Sequence, residues 1–600
     1  MNKQEKFEHI FYRIFPKVKA FAWKILQSEE DAEDIAQDIF AKLWNTPETW
    51  EDKETWHNYI YTMTRNHIFN FLKHKAVEQK YQQQSEPEDY NYYSTDDIHD
   101  QLYTYQLIAI PAAFSLSTCH TQSSQQQPTP PNIIYILADD MGYGDINAFN
   151  PHSQIPTPTL DSMASAGIMF TDAHSNSSVS TPTRYGTLTG RYAFRSSLKK
   201  GVLTGYSSSL IEKGRETIAS FLSNQGYQTA CIGKWHLGLD WVKKDAKKPL
   251  FTGNEWNVEN TDNVDYTAYI SGGPTDCGFG YSCILPASLD MPPYIYIEDG
   301  KVTAPVNGYT EDYLEKKIRG ARYRHGDVAD DFNHQECLSY FTQKSEEYIA
   351  RASRKDTPYF LYLALTAPHA PWLPGEEFKG RSTAGAYGDF VCMIDEAVRR
   401  IYTAVERSGK AANTLVIFTS DNGSMWLEED IAQTGHRANG AWNGAKSDLW
   451  EGGHRIPLLA TWPNVIMPGS HSGHLICSTD LFATLADMLG TTLPPHTAED
   501  SFSFWHELSG KKTKKESKER QSMVYHSVNG LFALRKNEWV FVDCKGSGGW
   551  TLPEETAKKL PDTQLYNLKN DTTQLQNVLI SHPEIAREMK RELEAIKTKG

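Results

Sequence analysis

Four apolar runs, each ended by polar residues, most constrain what this chain can fold into. They are PNIIYILADD (131–140), GYQTACIGKWHLG (226–238), PYFLYLALTAPHAPW (358–372) and NTLVIFTSDNG (413–423). Continuous apolar runs separated by helical stretches are typical of a mainly parallel sheet covered by helices on both faces. Ligands bind beyond the carboxyl ends of such strands. The sequence therefore predicts an α/β fold in which four sets of polar residues share one edge of a sheet.

The residues at these strand ends are candidates for metal binding and catalysis. The first and fourth runs end in carboxylates and an amide, an all-oxygen set that favours Ca²⁺ or Mg²⁺ over zinc. The second and third runs end in a lysine and two histidines. Singly, an acidic pair can cap a helix and a histidine can pack in a core. Their common position favours function for Asp139, Asp140, Lys234, His236, His369, Asp421 and Asn422.

Length and composition set outer limits on this interpretation. At 600 residues the chain is long enough for several domains. The formal net charge of −15 argues against broad nucleic-acid binding and suits acidic pockets that hold cations. The eight cysteines show no C-x-x-C pair and no zinc spacing. Cys277 and Cys283 could close a short loop, but we expect scattered buried thiols.

The first 80 residues differ from the rest of the chain because they are rich in helix-forming and aromatic residues. DAEDIAQDIFAKLW (31–44) places Ile35, Ile39, Phe40 and Leu43 on one helical face, and an aromatic, basic helix is predicted over 58–75. An amphipathic bundle would explain this pattern. The sequence of these two predicted helices also resembles region 2 of an extracytoplasmic-function sigma factor. This resemblance implies RNA polymerase as a partner. The second DNA-binding region of such factors does not follow.

A linker is predicted over residues 81–130. YQQQSEPEDYNYYSTDDIHD (81–100) is acidic and poor in aliphatic residues. The apolar run 107–116 is too short to span a bilayer, yet with Leu116-Ser117-Thr118-Cys119 it resembles a bacterial lipoprotein signal and lipobox. Because a signal belongs at an N-terminus, we expect a fusion or a misjoined reading frame. The part after the lipobox would be a periplasmic or outer-membrane-anchored lipoprotein, and cytoplasmic if the chain is made as written.

One serine stands out in SVSTPTRYGTLTGR (178–191) because no base lies beside it in the sequence. Pro182 predicts a helix that starts nearby, since proline is tolerated in a first turn. A helix N-terminus attracts anions, and Arg184, one turn on, can hold an anion or a nucleophile. The local alternative is that Ser180 caps the helix.

Ser180-x-Pro182-x-Arg184 followed by LTGR (188–191) resembles the sulfatase signature, whose cysteine or serine is oxidised to Cα-formylglycine. GKWHLG (233–238), PHAPW (368–372), SDNG (420–423) and GAKSDLWEGGHRIP (444–457) extend the resemblance. It implies an alkaline-phosphatase-like α/β fold, a mainly parallel sheet sandwiched by helices. We therefore expect four parts: a small all-α sigma-region-2-like segment 1–80, the linker 81–130, a catalytic domain 131–500 and a smaller C-terminal α+β subdomain 501–600.

The resemblance also implies roles for site residues. Ca²⁺, with Mg²⁺ less expected, would bind Asp139, Asp140, Asp421 and Asn422. The catalytic group would be Ser180, Arg184, Lys234, His236, His369 and Lys446.

In the implied reaction, one hydroxyl of hydrated formylglycine attacks sulfur and the sugar alcohol leaves; His236 then takes a proton from the second hydroxyl as sulfate departs. His369 and Lys446 would lie beside the leaving oxygen, with His369 the better general acid. Lys234 and Arg184 would neutralise sulfate and hold the diol. Serine, rather than cysteine, implies a radical-type maturing enzyme as a partner.

The substrate implied is a sulfated glycan. Segments 273–302, 435–457 and 528–550 resemble bacterial N-acetylgalactosamine-6-sulfatases, which implies 6-O-sulfate on galactose or N-acetylgalactosamine in mucin, keratan or chondroitin glycans. Sugar-pocket residues would include Trp442, Trp450, His454 and Trp550, with packing as their alternative role. The alternative functions are a phosphodiesterase or phosphonate hydrolase of the same superfamily, or a sigma-like protein that binds RNA polymerase.

Overall fold

A computed structural model describes residues 3–26, 28–45, 64, 68, 129–510 and 519–599. The chain forms two compact units, Met1–Gln127 and Pro128–Gly600. Residues 81–128 of the predicted linker, with the lipobox, lie outside the described residues, as does the predicted helix 58–75 except for positions 64 and 68, which are helical. The domain limits near 80, 130 and 500 stay predictions.

The first unit contains two described helices, α1 (Lys3–Leu26) and α2 (Glu29–Asn45). Ser28 precedes α2, and its Oγ accepts a hydrogen bond from the Asp31 amide. The apolar face predicted for α2 is buried and clusters with apolar side chains of α1. The amphipathic helix expected at 31–44 is therefore confirmed.

The second unit is built on a ten-stranded sheet. Its strands, in chain order, are β1 (Asn132–Asp139), β2 (Ile168–Phe170), β3 (Gln228–Lys234), β4 (Tyr281–Leu285), β5 (Ile297–Glu298), β6 (Lys301–Val302), β7 (Tyr359–Pro368), β8 (Thr414–Ser420), β9 (Leu458–Thr461) and β10 (Ser470–Ser472). Their order across the sheet is β10-β2-β9-β8-β1-β7-β3-β4-β5-β6. The five central strands, β8, β1, β7, β3 and β4, run parallel to one another.

The four apolar runs of the sequence are four of these central strands. Every residue of β1, β7 and β8 is buried, as expected for strands covered on both faces. In the register, Asp139 pairs with Pro368 and Ala138 pairs with Ser420, so the carboxyl ends of the strands are level. The predicted common edge of polar residues is confirmed.

Helices form two groups around the sheet. The α-helices of this part are α3 (Pro158–Ala166), α4 (Ser180–Thr189), α5 (Ile218–Asn224), α6 (Cys337–Ala352), α7 (Gly385–Arg407), α8 (Glu428–Thr434), α9 (Glu451–His454), α10 (Leu481–Met488) and α11 (Trp505–Ser509). Of these, α3, α6 and α7 pack together as one group, and α4, α5 and α10 as another. This arrangement confirms the α/β class.

A four-stranded antiparallel sheet follows near the C-terminus. It packs against the last helix around its own apolar cluster, which also takes in Leu449 from the preceding part. Its elements are β11 (Ser522–His526), β12 (Phe532–Lys536), β13 (Trp539–Val542), α12 (Glu554–Ala557), β14 (Gln564–Asn567) and α13 (Pro583–Thr598). Four strand pairs complete the fold: Ala173–His174 with Ile476–Cys477, Thr252–Asn254 with Asn257–Asn260, Gly308–Thr310 with Gly326–Val328, and Tyr313–Leu314 with Arg322–Tyr323.

The seven cysteines in the described part of the chain are buried free thiols, as the sequence predicted. Cys277 and Cys283 are among them. Among the described residues, no helix is both long and apolar enough to cross a membrane.

A buried charge network ties the C-terminal sheet to the segment before α4. Arg455 donates to Asp172 at 2.7 Å and to Glu451 at 2.8 Å, and Arg535 of β12 donates to Asp172 at 3.2 Å. Burial alone would raise the pKa of Glu451, but Arg455, His174 and Arg535 lower it to about 2. The network is therefore charged, and each carboxylate depends on its arginine partner.

We expect Arg455→Ala to lower the free energy of unfolding by about 3–5 kcal/mol, because buried Glu451 loses its hydrogen-bonded counter-ion and keeps only Arg535, at 3.6 Å. Arg587→Ala is the matched control. Arg587 is 64% exposed and its pair with Glu584 contributes little. Urea unfolding followed by tryptophan fluorescence measures both. Equal midpoints for the two variants would contradict the role of the network.

Candidate active site

Ser180 is the first residue of α4, two positions before the start expected near Pro182. Val179 holds the capping position, so Ser180 does not cap the helix. Instead, its Oγ donates to Asp139 Oδ1 at 3.2 Å and accepts from Lys234 Nζ at 3.2 Å. Ser180 is thus directed at the ends of β1 and β3.

The four predicted metal ligands lie together at the level ends of β1 and β8. The Asp140 amide donates to Asp421 Oδ1 at 3.1 Å, and Asn422 Nδ2 donates to Asp140 Oδ1 at 2.7 Å. Arg184 Nη2 reaches both Asp421 Oδ2, at 2.8 Å, and Asp139 Oδ1, at 3.4 Å. The sequence prediction of one all-oxygen group is therefore matched by the geometry.

These residues fit a divalent cation. Asn422 Oδ1 is buried and has no hydrogen-bond partner in the described part of the chain. Asp139, Asp140 and His369 offer ligand atoms that all lie within 4.8 Å of one another. A buried acceptor without a donor is costly, and a hard cation satisfies it.

Three buried cationic side chains each pair with one of the three carboxylates. Arg184 binds Asp421, Lys234 Nζ lies 2.7 Å from Asp139 Oδ1, and Lys446 Nζ lies 2.7 Å from Asp140 Oδ2. The formal charge of this set is zero, so a divalent cation would make it positive. At low dielectric such a charge attracts an anionic ester strongly.

The charges close to Asp139 and Lys446 determine the protonation states of these two side chains. Burial would raise the pKa of Asp139, but Lys234, His369 and Arg184 hold it below its usual value. Burial lowers the pKa of Lys446, but Asp140 and Asp139 outweigh this and raise it. Asp139 and Lys446 are therefore both charged near neutral pH.

His236 is a neutral imidazole with one free nitrogen. Its Nε2 lies 2.7 Å from the Leu203 carbonyl oxygen and must donate to it, which leaves Nδ1 as an acceptor. Nδ1 is buried and has no partner among the described residues. Burial and Lys234 lower the pKa of His236 well below its usual value. Thr181, next to Ser180, donates to the His236 carbonyl at 3.0 Å, which joins the two segments.

His369 follows β7 and faces two carboxylates. Its Nε2 lies 3.7 Å from Asp140 Oδ2, and its Nδ1 donates to the Ala370 carbonyl at 2.6 Å. The same Nδ1 is 3.9 Å from Asp290 Oδ1. His369 therefore lies beside the candidate cation ligand Asp140, at the same edge of the sheet.

Asp290 and Arg324 are members of this site that the sequence analysis missed. Arg324 Nη1 donates to Asp290 Oδ2 at 2.6 Å. Burial would raise the pKa of Asp290, but His369 and Arg324 hold it below its usual value. One signal was available, because Asp290 follows β4, the strand beside β3. Arg324 is distant in sequence and had no such signal.

Comparison with known proteins decides the family. Residues 131–491, more than half of the chain, match the sulfatase family model. The chain belongs to the sulfatase family. Sulfatases hydrolyse sulfate esters, and the Ser180 motif and the four candidate cation ligands described above all lie within the matched residues.

Individual sulfatases are similar over most of their length. An N-acetylgalactosamine-6-O-sulfatase from Bacteroides thetaiotaomicron is 29% identical over 531 residues, 82% of this chain and 98% of that protein. Human arylsulfatase A is 32% identical over 425 residues, 68% of this chain and 74% of the human protein. A solved structure from work on glycosaminoglycan metabolism by B. thetaiotaomicron superposes with a TM-score of 0.67 at 28% identity, over 78% of this chain and all of that one.

The N-terminal unit matches a second family. Residues 11–77 match the model of sigma-70 region 2, in agreement with the resemblance seen in the sequence. This match lies entirely before the sulfatase match.

We expect Ca²⁺ at about 100 times its dissociation constant to stabilise the protein by about 2.7 kcal/mol. Asp421→Asn should lose most of this gain, because it removes a carboxylate from the cation site. Glu376→Gln, a change at an exposed position, should keep it. Thermal unfolding with Ca²⁺, Mg²⁺ or a chelator makes the measurement. Equal stabilisation of both variants would place the cation elsewhere.

Proposed function

We propose that this sulfatase hydrolyses 6-O-sulfate esters of galactose or N-acetylgalactosamine in glycans. The observation on which this rests is the similarity to the bacterial N-acetylgalactosamine-6-O-sulfatase over 98% of that protein's length. The mouse N-acetylgalactosamine-6-sulfatase is also similar, 30% identical over 375 residues. The site agrees with an anionic ester, since its fixed charges become positive once a divalent cation binds.

Two groups would complete the site. Asp139, Asp140, Asp421 and Asn422 would hold Ca²⁺, and Ser180 would be converted to Cα-formylglycine. Together they would supply an activated hydroxyl for attack on sulfur and a positive field for the ester oxygens. The chain itself supplies the charge balance, because Lys234 lies beside both Ser180 and Asp139.

His236 is the proton acceptor in this proposal. The hydrogen bond from Nε2 to Leu203 fixes the tautomer, so Nδ1 presents its lone pair. Burial, Lys234 and Arg184 all lower its pKa, which keeps the ring neutral, with a lone pair free to accept a proton. The same two cations face the departing sulfate.

His369 and Lys446 are the groups beside the leaving oxygen. Both contact Asp140, at 3.7 Å and 2.7 Å, so they lie together on one side of the cation site. Asp290 Oδ1 lies 3.9 Å from the other ring nitrogen of His369, Nδ1. In this proposal His369 is the general acid that returns a proton to the sugar alcohol, and Lys446 orients the ester.

The direct test is desulfation by protein whose residue 180 has been checked by mass spectrometry. Protein made with a radical-type maturase should release sulfate from 6-sulfated N-acetylgalactosamine, and Ser180→Ala should release none. Ser180→Cys made with the oxygen-dependent maturing enzyme should regain activity. Faster cleavage of nitrophenyl phosphate or phosphonate esters than of any sulfate ester would favour the phosphodiesterase alternative.

The pH profile tests the role of His236. Because its pKa lies well below the usual 6.5, the ring stays neutral from pH 6.5 upward and gains a proton only at lower pH. We therefore expect kcat/KM, which reports ionisations of the free enzyme, to show no acid limb from His236 above pH 6.5. An acid limb above that pH in the wild type that disappears in His236→Ala would contradict the assignment.

We further propose that the sulfatase part works in the periplasm or at the outer membrane, where a lipoprotein signal would send it, and that a radical-type maturing enzyme acts on it first. RNA polymerase remains a partner only if the first unit is functional. Peptide mass spectrometry of the natural protein would read its true start. A mature start at Met1 would contradict export from the lipobox.

A further inference from the structure

A line of contacts runs from His369 outward to an exposed tryptophan. Asp290 lies 3.9 Å from His369 and accepts a hydrogen bond from Arg324 at 2.6 Å. The Arg324 guanidinium lies 5.5 Å from the ring centre of Trp256. Since His369 lies beside the leaving oxygen, this line starts where the sugar of the ester must be.

Trp256 is exposed but held in place. It forms the turn between the strands Thr252–Asn254 and Asn257–Asn260, and Asn254 Oδ1 accepts from the Trp256 amide at 2.9 Å. His325 Nε2 donates to the Val258 carbonyl at 3.2 Å, which ties this hairpin to the Arg324 segment. The indole is nevertheless 47% exposed. A large aromatic ring fixed at the rim of a site and left open to solvent is suited to ligand contact.

The chemistry of the line indicates a neutral sugar. Asp290 and Arg324 cancel each other's charge, yet Arg324 is 38% exposed and has donors to spare. A carboxylate beside a guanidinium presents an acceptor and donors to adjacent hydroxyls. Trp256 and Arg324 line a small pocket together with Glu255, Thr204, Val258, Met291, Pro292 and His325. The Glu255 carboxylate would repel the carboxylate of a uronate. The apolar face of a pyranose ring packs well on an indole.

We propose that Trp256, Arg324 and Asp290 bind the sugar that bears the sulfate, with Trp256 stacked on the ring and the Asp290–Arg324 pair bound to its free hydroxyls. This surface, the sugar platform, deepens the proposed function and rests on it. The ring it accepts is an uncharged hexose or N-acetylhexosamine. The sulfate group points inward, past His369, to the candidate cation ligands Asp139, Asp140, Asp421 and Asn422.

Binding can be tested without turnover. Saturation-transfer NMR with N-acetylgalactosamine should show binding to Ser180→Ala protein, and a dissociation constant about 10-fold higher in the Ser180→Ala, Trp256→Ala double variant, a loss of about 1.4 kcal/mol. Trp256→Phe in the same background should keep most of the affinity. Trp23→Ala is the matched control, because Trp23 is also 47% exposed but belongs to the first unit. Equal affinity of all four proteins would overturn the sugar platform.

Kinetics of the matured enzyme separates binding from folding. In Trp256→Ala, the ratio of kcat/KM for the 6-sulfated sugar to kcat/KM for an aryl sulfate should fall about 10-fold, mainly through KM. Arg324→Lys, which keeps the charge but loses the paired donors, should lower the same ratio. Equal losses on both substrates would show that the residue acts only through His369 and would overturn its role in sugar binding.

The two proposals fail in different ways. Matured wild-type protein that cleaves aryl sulfate but no 6-sulfated galactose or N-acetylgalactosamine would contradict the proposed function, whatever the NMR result. Cleavage of the 6-sulfated sugar at the same KM in wild type, Trp256→Ala and Arg324→Lys would leave the function intact and overturn the sugar platform.

Discussion

Three carboxylates buried at one edge of a sheet are the constraint on which the rest of the site depends. Asp139, Asp140 and Asp421 would repel one another in a medium of low dielectric unless cations faced them. Each carboxylate is paired with a cation from a distant segment of the chain. The three cations are Arg184 of α4, Lys234 of β3 and Lys446 of a loop. The ion pairs between these charges therefore also hold α4, the sheet and the loop in one arrangement.

Close backbone packing keeps that arrangement rigid. A Cβ on Gly423 would lie 1.8 Å from the Gly452 carbonyl oxygen, and one on Gly142 would lie 2.1 Å from the Ala438 carbonyl oxygen. The loop after β8 is thus pressed against α9, and the loop after β1 against the loop that contains Ala438, with no room for a side chain at either glycine. Glycine is required at both positions by this approach rather than by a special turn. Rigid packing of this kind suits a site whose electrostatics must be set before the substrate arrives.

The sequence predicted the sheet and the polar residues along one of its edges because both follow from local patterns. Apolar runs give the strands, and parallel strands bring their ends together whatever lies between them. The helix predicted to start near Pro182 begins at Ser180, since a proline marks the first turn of a helix but not its first residue. His454, considered for a sugar pocket, instead lies in the interior, with Nδ1 3.0 Å from His174 Nδ1 and its ring against Tyr525. Asp290, Arg324 and Trp256 meet through short strands and turns that apolar periodicity does not predict.

In the proposed reaction the site would separate two kinds of recognition. With a cation bound at Asp139, Asp140, Asp421 and Asn422, this edge would have an excess of positive charge and would bind sulfate strongly, whatever the alcohol. The Asp290–Arg324 pair and Trp256 have no excess charge and would respond to the shape of the sugar and the positions of its hydroxyls. These outer residues lie on the segment between β3 and β7, which contributes only one strand, β4, to the parallel centre of the sheet. A change in the sugar accepted can therefore arise there without disturbing the buried charges that hydrolyse the ester.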